Sequence, residues 1–217
     1  MGNNREEILR RLAAEYADTK SALHYENAYE LLAATILAAQ CTDKRVNIIT
    51  RDFFARFPDA RALAEGQTGE VEKLIRTCGL FKAKAKNLIA CAVRLVDEYG
   101  GEVPRSMEEL TTLAGVGRKT ASVVLAYAFG IPAMAVDTHV GRVANRLGLA
   151  NSKNPAIIEK QLCDQIPRED WAEAHHWLIW HGRRVCHAQR PDCGACVAAD
   201  LCPSVFLAPA KKEKGKT

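Results

Sequence analysis

LAGVGRKTASVV, residues 113–124, decides how this chain is read. An apolar stretch runs into Gly115-Val116-Gly117, and Arg118 and Lys119 arrive as a second apolar, helix-spaced stretch begins. A Walker phosphate loop needs Gly directly before its Lys, and here Arg118 stands there. A dinucleotide fingerprint needs a preceding strand and a third small residue in register, and both are missing. What remains is helix, tight turn, helix. The glycines admit positive φ and close approach of another backbone. Amides opening the second helix, with the helix dipole behind them, form an anion site. A phosphodiester gripped without regard to sequence suits it, with Gly115, Val116, Gly117 and Arg118 as contact candidates. A ligand-free helical hairpin with a glycine turn fits the same residues.

Lys119 falls in the first turn of that second helix, at the positive end of the dipole. A cation is disfavoured there, which predicts a lowered pKa and a larger fraction of neutral amine. Neutral amine is the nucleophile of Schiff-base chemistry. The plainer alternative is a solvated lysine, tolerated at a cost of up to ~1 kcal/mol.

Outward from the hairpin, apolar residues recur with helical spacing and no run alternates with period two. An opening helix is marked by Ile8, Leu9, Leu12 and Tyr16. Further helices are predicted over 30–40, 45–57, 71–78 (with Gly79 as C-cap), 83–99, 106–113 (with a capping box from Ser106 to Glu109), 120–129, 138–147, 155–165 and 171–184. The fold class is therefore all-α, with about ten short helices joined by short loops. The lysine-rich tail from about 209 to 217 is expected to be disordered.

At 217 residues and a net charge of +4 the chain can bury a real core, and nucleic acid is permitted as a partner without being demanded. The clusters Lys82/Lys84/Lys86, Arg183-Arg184 and Lys211-Lys212 read as solvated surface. No secretory signal, myristoylation pattern or membrane-spanning run is present, so a cytoplasmic protein is expected.

Two further stretches carry chemistry. In AVDTHVGRVANRLG (135–148), Asp137 stands where an N-cap belongs. Capping is the ordinary role of a lone Asp there. The alternative is a carboxylate aimed at a reaction, stabilising a developing cation or moving a proton, and the two are compatible. Arg142 in the same stretch is a candidate DNA contact. Near the C-terminus, Cys186, Cys193, Cys196 and Cys202 make a C-x6-C-x2-C-x5-C cluster, half of the eight cysteines. Four thiolates so placed suit a closed metal site, and their spacing is open between zinc and a 4Fe-4S cluster. Arg183, Arg184 and Arg190 around the first ligands suggest a face turned towards an anion, or simple surface solubility. Gln40 and the turn Cys78-Gly79-Leu80-Phe81 could wedge between bases; core packing is the plain reading of Leu80 and Phe81.

Taken in order, LAAQCTD, GLFKAKAKNL, LAGVGRKTA, AVDTHVGRVANRLGL and HGRRVC…CGACVAADLCP resemble the endonuclease III family of helix-hairpin-helix DNA glycosylases/lyases, from about Tyr29 to Pro203. The resemblance implies a two-lobed fold with DNA crossing the cleft between lobes. A six-helix barrel with the hairpin would be 22–132, and an iron–sulfur domain would join 1–21 to 133–217. It implies Lys119 as nucleophile, Asp137 as catalytic aspartate, and the four cysteines as ligands of a 4Fe-4S cluster. Gln40 would fill the gap left by a flipped base and Leu80 would wedge into the stack. The implied activity is bifunctional: removal of damaged pyrimidines from double-stranded DNA, then β-elimination at the abasic site, by a monomer. Ala114 departs from the usual proline of the hairpin. An adenine or thymine mismatch glycosylase is an alternative; the adenine-specific relatives generally lack the lysine and carry a further C-terminal domain. A non-catalytic DNA-binding module with a zinc-filled cysteine loop is another, separated from the first by metal analysis.

Overall fold

The computed structural model describes residues 2–19 and 21–205; the tail read as disordered lies outside them. Among the described residues the secondary structure is entirely helical. Two compact units result: Ser21–Ala135, and a second that joins the residues before it to those from Val136 onward.

The first unit is built around α2 (Ala28–Ala38), capped by Asn27, whose side chain accepts from the Glu30 amide. This helix has almost no polar face, so it is central: Leu31, Leu32, Ile36 and Leu37 are all buried. Truncating a buried leucine of this kind to alanine costs ~2–5 kcal/mol. On it pack α3 (Asp43–Arg56), α6 (Phe81–Tyr99) and α8 (Arg118–Phe129), while α4 (Ala60–Ala64) and α5 (Thr68–Leu74) pack on α6, and α7 (Met107–Leu110) packs on α8. Each turns a stripe inward; on α3 it is Val46, Ile49, Thr50 and Phe53. Gly100 and Gly130 end α6 and α8 in the left-handed conformation that glycine adopts without a Cβ penalty. Ser106 caps α7, accepting from the Glu109 amide and donating to its carboxylate.

Two expectations need correcting here, and one helix was not foreseen. The helix expected over 30–40 stops at Ala38, because Lys84 Nζ takes the Leu37 carbonyl (2.8 Å) that the Cys41 amide would need; that amide goes to Ala38 instead. The helix expected over 71–78 is shifted to Thr68–Leu74, and Ile75, not Gly79, is its C-cap. Turning after Ile75 lets both Ile75 and Cys78 be buried. The short α4 has no counterpart in the reading of the sequence.

In the second unit α11 (Trp171–Arg184) packs on α1 (Gly2–Glu15) and on α9 (Thr138–Arg146), with α10 (Pro155–Cys163) beside α9. Ile8, Leu12 and Tyr16 form the inward stripe of α1 and its exit. Gly182 allows α9 and α11 to touch: a Cβ there would lie 3.1 Å from Arg142 Nη2 and from Val143 Cγ2.

Candidate functional site

The hairpin forms as the sequence suggests, but its two glycines do different work. Gly115 has φ +79°, and a Cβ would approach Asn87 Cβ to 3.1 Å. Gly117 is extended, not left-handed, and caps α8 with no side chain of its own. A Cβ on Gly117 would meet nothing within 4 Å, so what glycine provides there is open space over the first-turn amides. Val116 is buried and Arg118 exposed, while Lys119 is half-buried in the first turn of α8.

In the same unit, Gln40 and Leu80 occupy the tips of two adjoining turns. Both are exposed, and both have positive φ (54° and 58°) without being glycine. Such a conformation costs about 1–2 kcal/mol per residue, and residues so held concentrate at functional sites. Leu80 is 61% exposed, which corrects the core reading. Behind these tips the backbones nearly touch: a Cβ on Gly79 would stand 3.3 Å from the Gln40 carbonyl. Lys84, read as surface charge, is in fact buried and holds the end of α2 through Leu37.

Asp137 is the N-cap of α9, and its Oδ1 accepts from the amides of His139 and Val140, each at 2.8 Å. Its second oxygen, Oδ2, takes no part in the cap. Asp137 and Lys119 belong to different units. The Arg142 guanidinium donates to the carbonyls of Gly182 and Cys186. Arg183 is half-buried beside Trp180, Arg184 is exposed with its guanidinium 4.6 Å from the Trp180 ring centre, and Arg190 is exposed with φ 52°.

Cys186, Cys193, Cys196 and Cys202 line one cavity of about 220 Å³. A single water needs about 10–15 Å³ on the same scale. Four cysteines converging on one cavity are a donor set that suits a thiolate-held metal group. Burial raises the thiols of Cys196 and Cys202 above their ordinary range.

The frame of this cavity is what the sequence did not disclose. Arg146 reaches Cys186 Sγ (3.5 Å) and the carbonyls of His187 and Ala188, and its own carbonyl faces Cys202 Sγ (3.3 Å). His181 is buried, its pKa pushed down to about 4 by that burial, and it stands between Tyr16 Oη (3.0 Å) and Cys196 Sγ (3.5 Å). A thiolate only accepts, so with Cys196 as a ligand the proton of His181 sits on Nε2 and Tyr16 donates to Nδ1. Arg11, on α1, binds the Val197 carbonyl and Asp200, tying the far side of the cysteine loop to α1.

Residues 33–168 match the model of the HhH-GPD superfamily of base excision DNA repair proteins. The endonuclease III of Synechocystis is 51% identical over 91% of this chain and 91% of its own length. That of Escherichia coli K12 is 42% identical over 90% and 93%. Among solved structures, a trapped endonuclease III–DNA covalent intermediate in an estranged-adenine complex matches with a TM-score of 0.92 and 40% identity, covering 95% of this chain and 98% of that one.

Proposed function

The chain belongs to the HhH-GPD superfamily of base excision DNA repair proteins, where it is a DNA glycosylase and lyase of the endonuclease III type, and from that premise we propose how its residues divide the work. The observation that carries the reading is the likeness, over nearly the whole chain, to an endonuclease III caught covalently on DNA. The substrates are oxidised or otherwise damaged pyrimidines in double-stranded DNA, and abasic sites. The residues up to about 21 and from about 133 form an iron–sulfur domain and those between form the barrel. The protein acts as a cytoplasmic monomer; no described helix is long and apolar enough to cross a membrane.

The hairpin amides after Gly115-Val116-Gly117 hold a phosphate, Gln40 fills the gap left by the extruded base and Leu80 wedges into the stack. Their positive φ supports this, since it holds both side chains out on tight turns. Lys119 Nζ attacks the anomeric carbon and the base departs with the glycosidic electron pair. Asp137, fixed by its cap bonds through Oδ1, has Oδ2 to stabilise the cationic sugar and to move the proton off the attacking amine. The Schiff base that follows acidifies the neighbouring sugar hydrogen, and its removal expels the 3′ phosphate by β-elimination. Arg184 and Arg190, both exposed, serve the phosphate backbone, and Arg183 with them.

Cys186, Cys193, Cys196 and Cys202 would hold a 4Fe-4S cluster, supported by the convergence of all four cysteines on one cavity and by its size. When bound, such a cluster supplies a rigid anchor for the cysteine loop. Arg146 and the Nε2–H of His181 aim their donors at its ligand sulfurs, the second-sphere contacts that orient ligands and tune a metal site.

Borohydride reduction in the presence of a duplex carrying an oxidised pyrimidine or an abasic site tests the central step. A covalent protein–DNA adduct is expected, and none from Lys119→Ala at equal DNA occupancy. An adduct of undiminished yield from Lys119→Ala would overturn the assignment.

A further inference from the structure

Outside the cysteine cluster, two thiols meet beneath the turn tips. Cys41 Sγ and Cys78 Sγ are 3.7 Å apart, one half-buried directly after Gln40, the other buried two residues before Leu80. A disulfide bond is ~2.05 Å, so the sulfurs need to approach by about 1.7 Å, within reach of side-chain rotation and a slight give of the turns. We propose that Cys41 and Cys78 are a redox-active dithiol whose reversible disulfide ties the turn bearing Gln40 to the turn bearing Leu80. The pairing itself goes beyond the enzyme reading; its effect on DNA rests on that reading of Gln40 and Leu80.

The two thiols are not equivalent. Cys78 faces the core, also against the Leu37 carbonyl, and burial raises its thiol well above the ordinary range, with the contact to Cys41 acting in the same direction. It stays protonated and shielded. Cys41, the more accessible, meets the oxidant first. With a peroxide, the Cys41 thiolate attacks the O–O bond, forming the S–O bond of a sulfenic acid and releasing hydroxide, which takes up a proton as water. The Cys78 sulfur then attacks the Cys41 sulfur; the S–S bond forms, the S–O bond breaks, and the leaving hydroxide departs as water with the Cys78 proton. In sum two thiols and one hydrogen peroxide give one disulfide and two waters. An external thiol reverses the bond by exchange.

Drawing the sulfurs together acts on both tips at once, because behind them the Gln40 carbonyl already lies 3.3 Å from where a Gly79 Cβ would stand. Two turns fixed against each other cannot part to admit a strand. The oxidised protein is expected to bind a lesion duplex about tenfold more weakly, a coupling of ordinary size between two sites, and to recover with thiol reductant.

The test uses the cluster-loaded protein, treated with hydrogen peroxide and then alkylated, with the cluster absorbance followed in the same samples. Peptide mapping should give a Cys41–Cys78 cross-link before that absorbance changes. Peroxide should lower lesion-duplex affinity in the wild type and leave Cys41→Ser and Cys78→Ala each at its own untreated value. Absence of the cross-linked peptide overturns the dithiol. A cross-linked protein that binds lesion DNA as the reduced one does overturns its coupling to the tips. Whether the protein is a glycosylase at all is judged separately, on the reduced wild type, so the two failures are told apart.

Discussion

Asp137 is assigned two duties, and its geometry says how to separate them. Asp137→Asn keeps an oxygen acceptor at the Oδ1 position, and Asn caps helices about as well as Asp. What it loses is the charge near the start of α9, about 0.3–1 kcal/mol of charge–dipole stabilisation. Asp137→Ala loses both 2.8 Å cap bonds as well, and removing such a cap costs about 0.5–2 kcal/mol; with two amides orphaned the upper half of that range applies. For a chain of this length 1 kcal/mol moves Tm by roughly 2–4 °C. The Asn variant should therefore melt only slightly below wild type, and the Ala variant several degrees lower. Base excision measured under single-turnover conditions, with enzyme saturating, removes binding from the comparison. There the two variants should be alike, each slowed by about 10²–10⁴-fold, because each lacks the ionised carboxylate. Near-wild-type excision by Asp137→Asn would refute the catalytic duty and leave Asp137 a helix cap. Equal melting of the two variants would refute the capping estimate instead.

The two hairpin glycines should separate in the same manner. Gly117→Ala, with open space for its Cβ and an extended backbone, should keep its stability but bind DNA less well; Gly115→Ala, strained at φ +79° and crowded by Asn87, should lose about 1–2 kcal/mol in chemical denaturation. Arg11→Gln removes the tie from α1 to Val197 and Asp200 and should hasten iron loss in air, followed by absorbance, with excision by freshly loaded protein unchanged. Burial pushes the Cys91 thiol from its ordinary 9.0 up to about 12, so the native state keeps the proton that the unfolded chain gives up first. That contribution to stability is whole below about pH 9 and is lost as pH rises towards 12. The alkaline stability loss should be shallower in Cys91→Ala, and native Cys91 should resist iodoacetamide until denaturant is added.

What the sequence disclosed was what depends on neighbours along the chain. The hairpin, the Asp137 and Ser106 caps, the extent of α11 and the all-α class follow from local chemistry, and each appears where spacing and residue type place it. What it hid depends on residues far apart. Lys84 looks like one lysine of a basic row, and only contact with Leu37, 47 positions away, makes it the reason that α2 stops at Ala38. Arg142 looks like a free cation on an amphipathic helix until the carbonyls at the end of α11 are seen to take it. Leu80 misleads in the opposite sense: an apolar residue is expected inside, and the positive φ that sets it outside belongs to a turn with no glycine at the tip.

The misreadings of Lys84 and Leu80 share a cause that bears on function. The turns carrying Gln40 and Leu80 break local preference, since neither residue favours the left-handed region, at a combined cost of a few kcal/mol. A fold holds such turns only if buried contacts over-determine them. The contacts are those least visible in the sequence: Lys84 on the Leu37 carbonyl, and Cys78 against the same carbonyl and against Cys41. The exposed tips are thus held by a small buried polar cluster, and whatever changes that cluster is felt at the tips. Lys84→Met, close in shape but without the donor, should therefore weaken lesion binding more than it lowers Tm. A loss of stability with lesion affinity intact would show that α2 ends where it does for reasons unrelated to the tips.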